Sequence, residues 1–165
     1  MKQELKLDVE ALRKSYKPQN VDILIIGESA PAGGTFFYDR SNMTIYTQRA
    51  FEQTFDRTFS DEKDFLDFFK YKNCYLDDIC LTPIDNMKNR QRNQMLQDSV
   101  IDFSKRLREY QPKVTIVALS KIVPYAKEAI KLSGIDAIYY QIPFAGNGHQ
   151  NKYMEELEVI LRKHL

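Results

Sequence analysis

Four short apolar segments alternate with longer segments in which apolar residues recur every three or four positions. The short segments have the length of β-strands and cover residues 21–27, 74–80, 114–119 and 137–142. The first and third are almost continuously hydrophobic, which is typical of central parallel strands covered on both faces. We therefore expect strands one and three at the centre of a sheet.

The longer segments have the periodicity of amphipathic helices. One predicted helix is capped by Ser60 and carries Asp61 and Glu62 in its first turn. The others cover residues 47–59, 94–110, 120–132 and 150–165. Strands that alternate with helices predict an α/β fold, here a three-layer α/β/α sandwich around a four-stranded, mainly parallel sheet. The 165 residues predict one domain, 1–165.

Charge and hydropathy narrow the possible partners. The chain has 24 Lys and Arg residues against 23 Asp and Glu residues, so contact with nucleic acid must rest on local patches. The amino terminus is charged and lacks the apolar stretch of a signal sequence, and no later run approaches membrane-spanning length. We expect a cytoplasmic monomer without membrane contact.

The two cysteines predict neither a disulfide nor a metal centre. Cys74 and Cys80 bracket the second predicted strand, which separates them by roughly 20 Å at the rise of an extended chain. Two cysteines cannot hold a four-cysteine cluster, and only His149 and His164 could supplement them. We expect two buried thiols, no metal and no cofactor.

The least regular segments follow the four predicted strands. In open parallel sheets the ligand crevice lies beyond the carboxyl ends of the strands, so these four loops should meet there. Gly27, Gly33 and Gly34 permit close approach of a backbone to a ligand, and Pro31 stiffens the first loop. Taken singly, each loop is better interpreted as an ordinary strand-to-helix turn, and the convergence of all four favours a site.

The order of these segments resembles the uracil-DNA glycosylase superfamily over roughly residues 20–160. A first strand ends in GES and leads through Pro31 and a Gly-Gly pair to the aromatics Phe36, Phe37 and Tyr38. Strands containing YLDDI and TIVALS follow, and the last strand leads into PFAGNGH. The GES opening is similar to that of the thermophilic-type members, whose cluster cysteines this chain lacks.

The resemblance implies hydrolysis of the N-glycosidic bond of a damaged or modified base in DNA, and hence a role in DNA repair. It places the water-positioning and catalytic residues at Glu28, Ser29 and His149. It places the base-binding residues at Pro31, Phe36, Phe37, Asp78 and Asn147. A basic rim that contacts DNA phosphates would comprise Lys88, Arg90, Lys121 and Lys152, beside Arg92.

Three positions depart from the family pattern. Ile142 stands where the family has its loop histidine, Ser29 replaces an Asp or Asn, and Asp78 replaces the Asn that reads uracil. An ionised Asp offers only acceptors, so it suits a base edge with two donors better than the O4 of uracil. We therefore expect weak or no activity on uracil and a preference for purines or donor-rich modified bases.

Several candidates also have a purely structural interpretation. Glu28 could act as a general base or cap a turn, and Ser29 and His149 could likewise be capping residues. The basic residues could form an ordinary solvated surface. The three consecutive aromatics should not all point inward, because side chains alternate along an extended segment. The same alternation should send Asp77 and Asp78 to opposite faces of the sheet. One of the two should then face the crevice, while the other caps a helix or faces solvent.

Two functions are therefore open. The chain is either a divergent DNA-base glycosylase or a member of the same fold that binds a nucleobase or nucleotide without cleaving DNA. A shared pocket formed by Glu28, Phe37, Asp78 and His149 is predicted in both cases.

Overall fold

A computed structural model describes residues 8–165 of the chain, so the first seven residues of the predicted domain lie outside the described part. Its sheet has four strands: β1 (Ile23–Gly27), β2 (Cys74–Asp78), β3 (Val114–Val117) and β4 (Ile138–Gln141). All three neighbouring pairs are parallel, and the strand order is β2-β1-β3-β4. The predicted parallel sheet with strands one and three at its centre is confirmed.

Burial along the strands follows their place in the sheet. Every residue of β3 and the first four of β1 are buried, as the continuous apolar runs predict. The edge strand β4 has no fully buried residue, and Ile138 is 51% exposed. The other edge strand, β2, is buried throughout and contacts α3, and the hydroxyl of Tyr38 donates to the C=O of Leu76 and accepts its N–H.

Helices flank the sheet and complete the α/β/α sandwich. They are α1 (Val9–Ser15), α2 (Asn42–Phe55), α3 (Glu62–Tyr71), α4 (Asn89–Tyr110), α5 (Val123–Ser133) and α6 (Gln150–His164). Helix α4 packs against α5, α2 packs against α6, and α3 contacts β2 and α2. None of the helices within residues 8–165 is long and apolar enough to cross a membrane.

Several predicted helix boundaries are wrong because the capping residues lie elsewhere. Helix α2 begins five residues before the predicted position, since the side chain of Ser41 accepts the N–H of Thr44. Helix α3 is capped by Asp61 rather than Ser60, whose own N–H donates to Asp64. Helix α4 begins at Asn89 instead of Gln94, and α1 was not predicted.

A buried hydrogen bond joins α2 to α6. The Thr47 hydroxyl donates to the carbonyl of Met43 at 2.6 Å, so the fully buried hydroxyl of Tyr153 donates to Thr47 Oγ1 at 2.7 Å. The contact satisfies a phenol that would otherwise lose its partner on folding. It therefore fixes how these two helices meet.

Replacing Thr47 by valine is expected to lower the free energy of unfolding by about 1–3 kcal/mol, because the Tyr153 hydroxyl then stays buried without an acceptor. Urea denaturation measures the change. Thr54→Val is the matched control, since that hydroxyl donates to the Ala50 carbonyl within α2. Equal losses in the two variants would show that the interhelical bond contributes nothing.

Candidate functional site

A cavity of about 440 Å³ opens at the carboxyl ends of the three strands β1, β2 and β3. Its walls are mainly apolar, and its polar groups come from the loops that follow these strands and from the start of α4. The charged residues that line it are Glu28, Asp78, Asp85, Arg92 and Lys121. A mostly apolar cavity with a few convergent polar groups is the usual form of a small-molecule site.

Gly27 and Asp78 meet at the base of this cavity. They are paired in register across β1 and β2, and both line the cavity. A Cβ on Gly27 would lie 2.1 Å from Asp78 Oδ1. The glycine of GES is therefore required for close approach of the Asp78 carboxylate.

The two oxygens of Asp78 have different environments. Oδ2 accepts a hydrogen bond of 2.9 Å from Arg13 Nη1 on α1. Oδ1 lies beside Gly27 and receives no hydrogen bond from the residues that the structure describes. Burial raises the pKa of Asp78 to about 6, although the neighbouring Arg13 charge acts to lower it and Asp77 adds to the rise. Asp78 is thus ionised at neutral pH with one oxygen available to a ligand.

Asp77 lies behind the cavity and shares Arg13 with Asp78. Its Oδ1 accepts the backbone N–H of Asp78 at 2.8 Å, and its Oδ2 accepts hydrogen bonds from Arg106 and from the Tyr110 hydroxyl. Only Asp78 lines the cavity, as the alternation along the strand predicts. The expected cap or solvent contact of Asp77 is wrong, because that side chain is fully buried and ion-paired.

The carboxylate of Glu28 is ion-paired with two cations and does not cap a turn. Arg92 Nε lies 3.0 Å from both carboxylate oxygens, Arg92 Nη2 contacts Oε1, and Lys121 Nζ lies 3.4 Å from Oε2. Of the two interpretations of Glu28, the backbone cap is therefore wrong. Both carboxylate oxygens of Glu28 are therefore committed to ion pairs within the protein.

The first and second loops are joined by two further contacts. Ser29 Oγ accepts the N–H of Ile84 at 3.4 Å, and Asp85 accepts the N–H of Ala32 at 3.0 Å. The Ser29 hydroxyl therefore joins two loops that are 55 positions apart in the chain, which is a structural role but not the cap of its own turn. Pro31 lines the mouth of the cavity between these contacts.

All three consecutive aromatics point inward, contrary to the sequence prediction. Phe36, Phe37 and Tyr38 are each at most 5% exposed. The prediction assumed an extended segment, but Phe36 and Asp39 exchange backbone hydrogen bonds across a tight turn. Phe36 and Phe37 line the cavity, and Tyr38 stacks on Tyr16.

His149 does not share the cavity with Glu28, Phe37 and Asp78. It lines a neighbouring groove of about 600 Å³ together with Lys152, and the predicted four-residue pocket is wrong on this point. The loop between β4 and α6 carries His149 past the cavity, and Phe144 lies between cavity and groove. The remaining candidates Lys88, Arg90 and Asn147 are exposed and outside the residues described as lining either space.

Sequence reasoning missed Arg13 and Asp85. Arg13 carried a signal, since Val9, Leu12, Arg13 and Tyr16 fall at the positions i, i+3, i+4 and i+7 that share one helix face. A charged residue in the middle of an apolar face indicates a buried ionic partner. Asp85 carried none, because one carboxylate in a polar loop is common.

Taken together, the cavity offers two phenylalanine rings, one available carboxylate oxygen and a Glu28–Arg92–Lys121 cluster at one side. Such a site can hold a flat molecule and accept hydrogen bonds from it. No protein-family model matches this chain, and comparison with curated proteins finds no significant match.

Proposed function

We propose that this chain is a divergent uracil-DNA glycosylase-like protein that binds a nucleobase in the cavity at the carboxyl ends of β1–β3. The observation that carries the proposal is the placement of Asp78. Its Oδ1 has no hydrogen bond among the described residues and lies in a cavity lined by Phe36 and Phe37. Aromatic rings and a single polar end are what recognition of a flat, polar-edged heterocycle requires.

The same geometry favours a base with N–H donors. Asp78 is ionised at neutral pH, and an ionised carboxylate accepts hydrogen bonds but donates none. The N1–H and N2–H of guanine are adjacent donors, whereas the O4 of uracil is an acceptor and would face Oδ1 without compensation. We therefore expect a preference for purines or donor-rich modified bases, with guanine as the first ligand to test.

Binding is better supported than hydrolysis. Glycosidic cleavage needs a positioned water and stabilisation of charge that develops on the departing base. Glu28 is occupied by Arg92 and Lys121, and His149 lines the adjacent groove. Glu28 thus lines the same cavity as Asp78 but is committed to ion pairs, and His149 lies outside that cavity.

One observation favours hydrolysis as the second candidate. The pKa of Asp78, which burial raises to about 6, is in the range suited to a general base near neutral pH. A base-release assay on single- and double-stranded oligonucleotides, each carrying one lesion, separates the two functions. Release that is lost in Asp78→Asn would establish hydrolysis, and binding without release would establish the base-binding function.

Calorimetry with guanosine, uridine and N1-methylguanosine tests the binding proposal directly. Guanosine is expected to bind most tightly, and N1-methylation is expected to weaken binding because it removes one donor. If guanosine and uridine bind equally, Asp78 does not read the base edge. If none of the three binds between pH 6 and 8, the base-binding function is wrong.

Asp78→Asn is expected to weaken guanosine binding by about ten- to a hundredfold, corresponding to roughly 1–3 kcal/mol for a lost charged acceptor. The same substitution is expected to strengthen uridine binding, because the Asn amide supplies a donor for O4. Calorimetry at pH 7.5 measures both affinities. Asp85→Asn, at the cavity mouth, is the control, and a larger effect there would move the base reader to Asp85.

A further inference from the structure

A buried ionic cluster joins α1 to the end of β2. Arg13 is 1% exposed, although it comes from a seven-residue helix at the start of the described chain. Its Nη1 lies 2.9 Å from Asp78 Oδ2 and 3.6 Å from Asp77 Oδ1, and its Nε lies 3.1 Å from Glu10. Arg13 itself is not among the residues that line the cavity.

Because of the contact with Arg13, the two oxygens of the Asp78 carboxylate have different surroundings. Arg13 approaches Oδ2 from the α1 side, and Oδ1 is left beside Gly27 within the cavity. Once the rest of the Asp78 side chain is fixed, the carboxylate can still rotate about the Cβ–Cγ bond. That rotation exchanges its two oxygens or tilts its plane. A charged hydrogen bond to one oxygen fixes that torsion and stabilises the ionised form.

The other charged groups around Asp78 cannot replace Arg13. Asp77 on the same strand and Glu10 on α1 are both negative and oppose ionisation of Asp78. Arg106 on α4 pairs with Asp77 and donates to the Asp78 carbonyl, and Tyr110 donates to Asp77. Within the cavity, the cations Arg92 and Lys121 are paired with Glu28, and Asp85 accepts the Ala32 N–H.

We propose that Arg13 is a positioning residue for the nucleobase site: it keeps Asp78 ionised and oriented, so that base affinity depends on the docking of α1. This inference rests on the proposed base-binding function for its effect on affinity. Its effect on Asp78 itself does not depend on any ligand.

The pH dependence has a definite sign. Binding of a donor-bearing base requires ionised Asp78, so affinity is full well above the pKa of about 6 and falls as the pH decreases through it. Removing Arg13 takes away a charge that lowers this pKa, while burial continues to raise it. The midpoint of the pH profile should therefore move upward by about one pH unit or more.

Arg13→Gln tests the inference through two measurements. The Asp78 carboxyl carbon is titrated by NMR without ligand, and guanosine affinity is measured by calorimetry between pH 5 and 9. Both midpoints are expected to rise together in Arg13→Gln. Arg13→Lys restores a cation but lacks the Nε–H that donates to Glu10 and holds the guanidinium in place, so it is expected to return the Asp78 midpoint toward the wild-type value but to leave affinity about tenfold weaker.

Arg49→Gln is the matched control, because Arg49 lies over the Tyr46 ring on α2 and should leave both profiles unchanged. An unchanged Asp78 midpoint in folded Arg13→Gln overturns the inference. If Arg13→Gln does not fold, the test is made with Arg13→Lys instead. A wild-type guanosine affinity in Arg13→Lys would then overturn the inference. If wild-type protein binds no base, the proposed function fails, while the ligand-free titration still decides the role of Arg13.

Discussion

Arg13→Met is expected to lower the free energy of unfolding by about 3–5 kcal/mol at pH 7.5, the usual cost of removing one partner from a buried ion pair. Asp77 is fully buried and Asp78 is 6% exposed, so loss of the guanidinium leaves Asp78 without its cation in a largely desolvated position and removes one of the two arginines near Asp77. Methionine fills much of the arginine stem volume, which limits the loss to the charge and its hydrogen bonds. Urea denaturation followed by circular dichroism measures the change.

The loss should be smaller at pH 5 than at pH 7.5. Without Arg13, the raised pKa of Asp78 lets that carboxyl take up a proton in the folded state, which removes the uncompensated charge. Arg49→Met is expected to stay close to the wild type at both values of pH. An equal loss for Arg13→Met at pH 5 and pH 7.5 would mean that lost packing, rather than unpaired charge, dominates.

The arrangement of the sheet could be predicted from the sequence because the hydrophobic pattern of a strand indicates whether one or both of its faces are covered. A strand covered on both faces is mainly apolar, and this holds for every residue of 23–26 and for all of 114–117 except Thr115, whose buried hydroxyl donates to the Ile138 carbonyl. The interrupted strand β4 is correspondingly half-exposed at one edge. The second strand is the exception, since Asp77 and Asp78 are polar yet buried.

These two buried aspartates show what the hydrophobic pattern cannot predict at the site, namely the partners of buried charges. The pairing of Arg13 with Asp78 spans 65 positions, and no local periodicity specifies which buried charge meets which. The same holds for Glu28, whose partner Arg92 is 64 positions away. The sequence placed Glu28 and Asp78 in one crevice through the parallel topology, but their chemical states depend on long-range partners.

Turn geometry accounts for the remaining errors. Alternation of side chains holds only in extended backbone, and the tight turn at Phe36–Asp39 lets three consecutive rings enter the core. The loop after β4 takes left-handed backbone at Asn147 and Gly148, which the Asn-Gly pair indicates, but the pair does not specify that His149 leaves the cavity beyond it. Both features are set by backbone dihedrals rather than by hydrophobic pattern.

Gly27→Ala is expected to weaken guanosine binding on the order of a hundredfold, because a misplacement of about 1 Å at a reacting or binding group has effects of that size. The new Cβ would stand 2.1 Å from Asp78 Oδ1 and 3.3 Å from its Cγ, so the carboxylate must move away from β1. Arg13 and the surrounding burial restrict that movement, and the strain should also lower the free energy of unfolding by about 1–3 kcal/mol. Calorimetry and urea denaturation measure the two effects, with Gly33→Ala as the control because no atom lies within 4 Å of a Cβ there. Full guanosine affinity in Gly27→Ala would show that Asp78 Oδ1 is not the acceptor that holds the base.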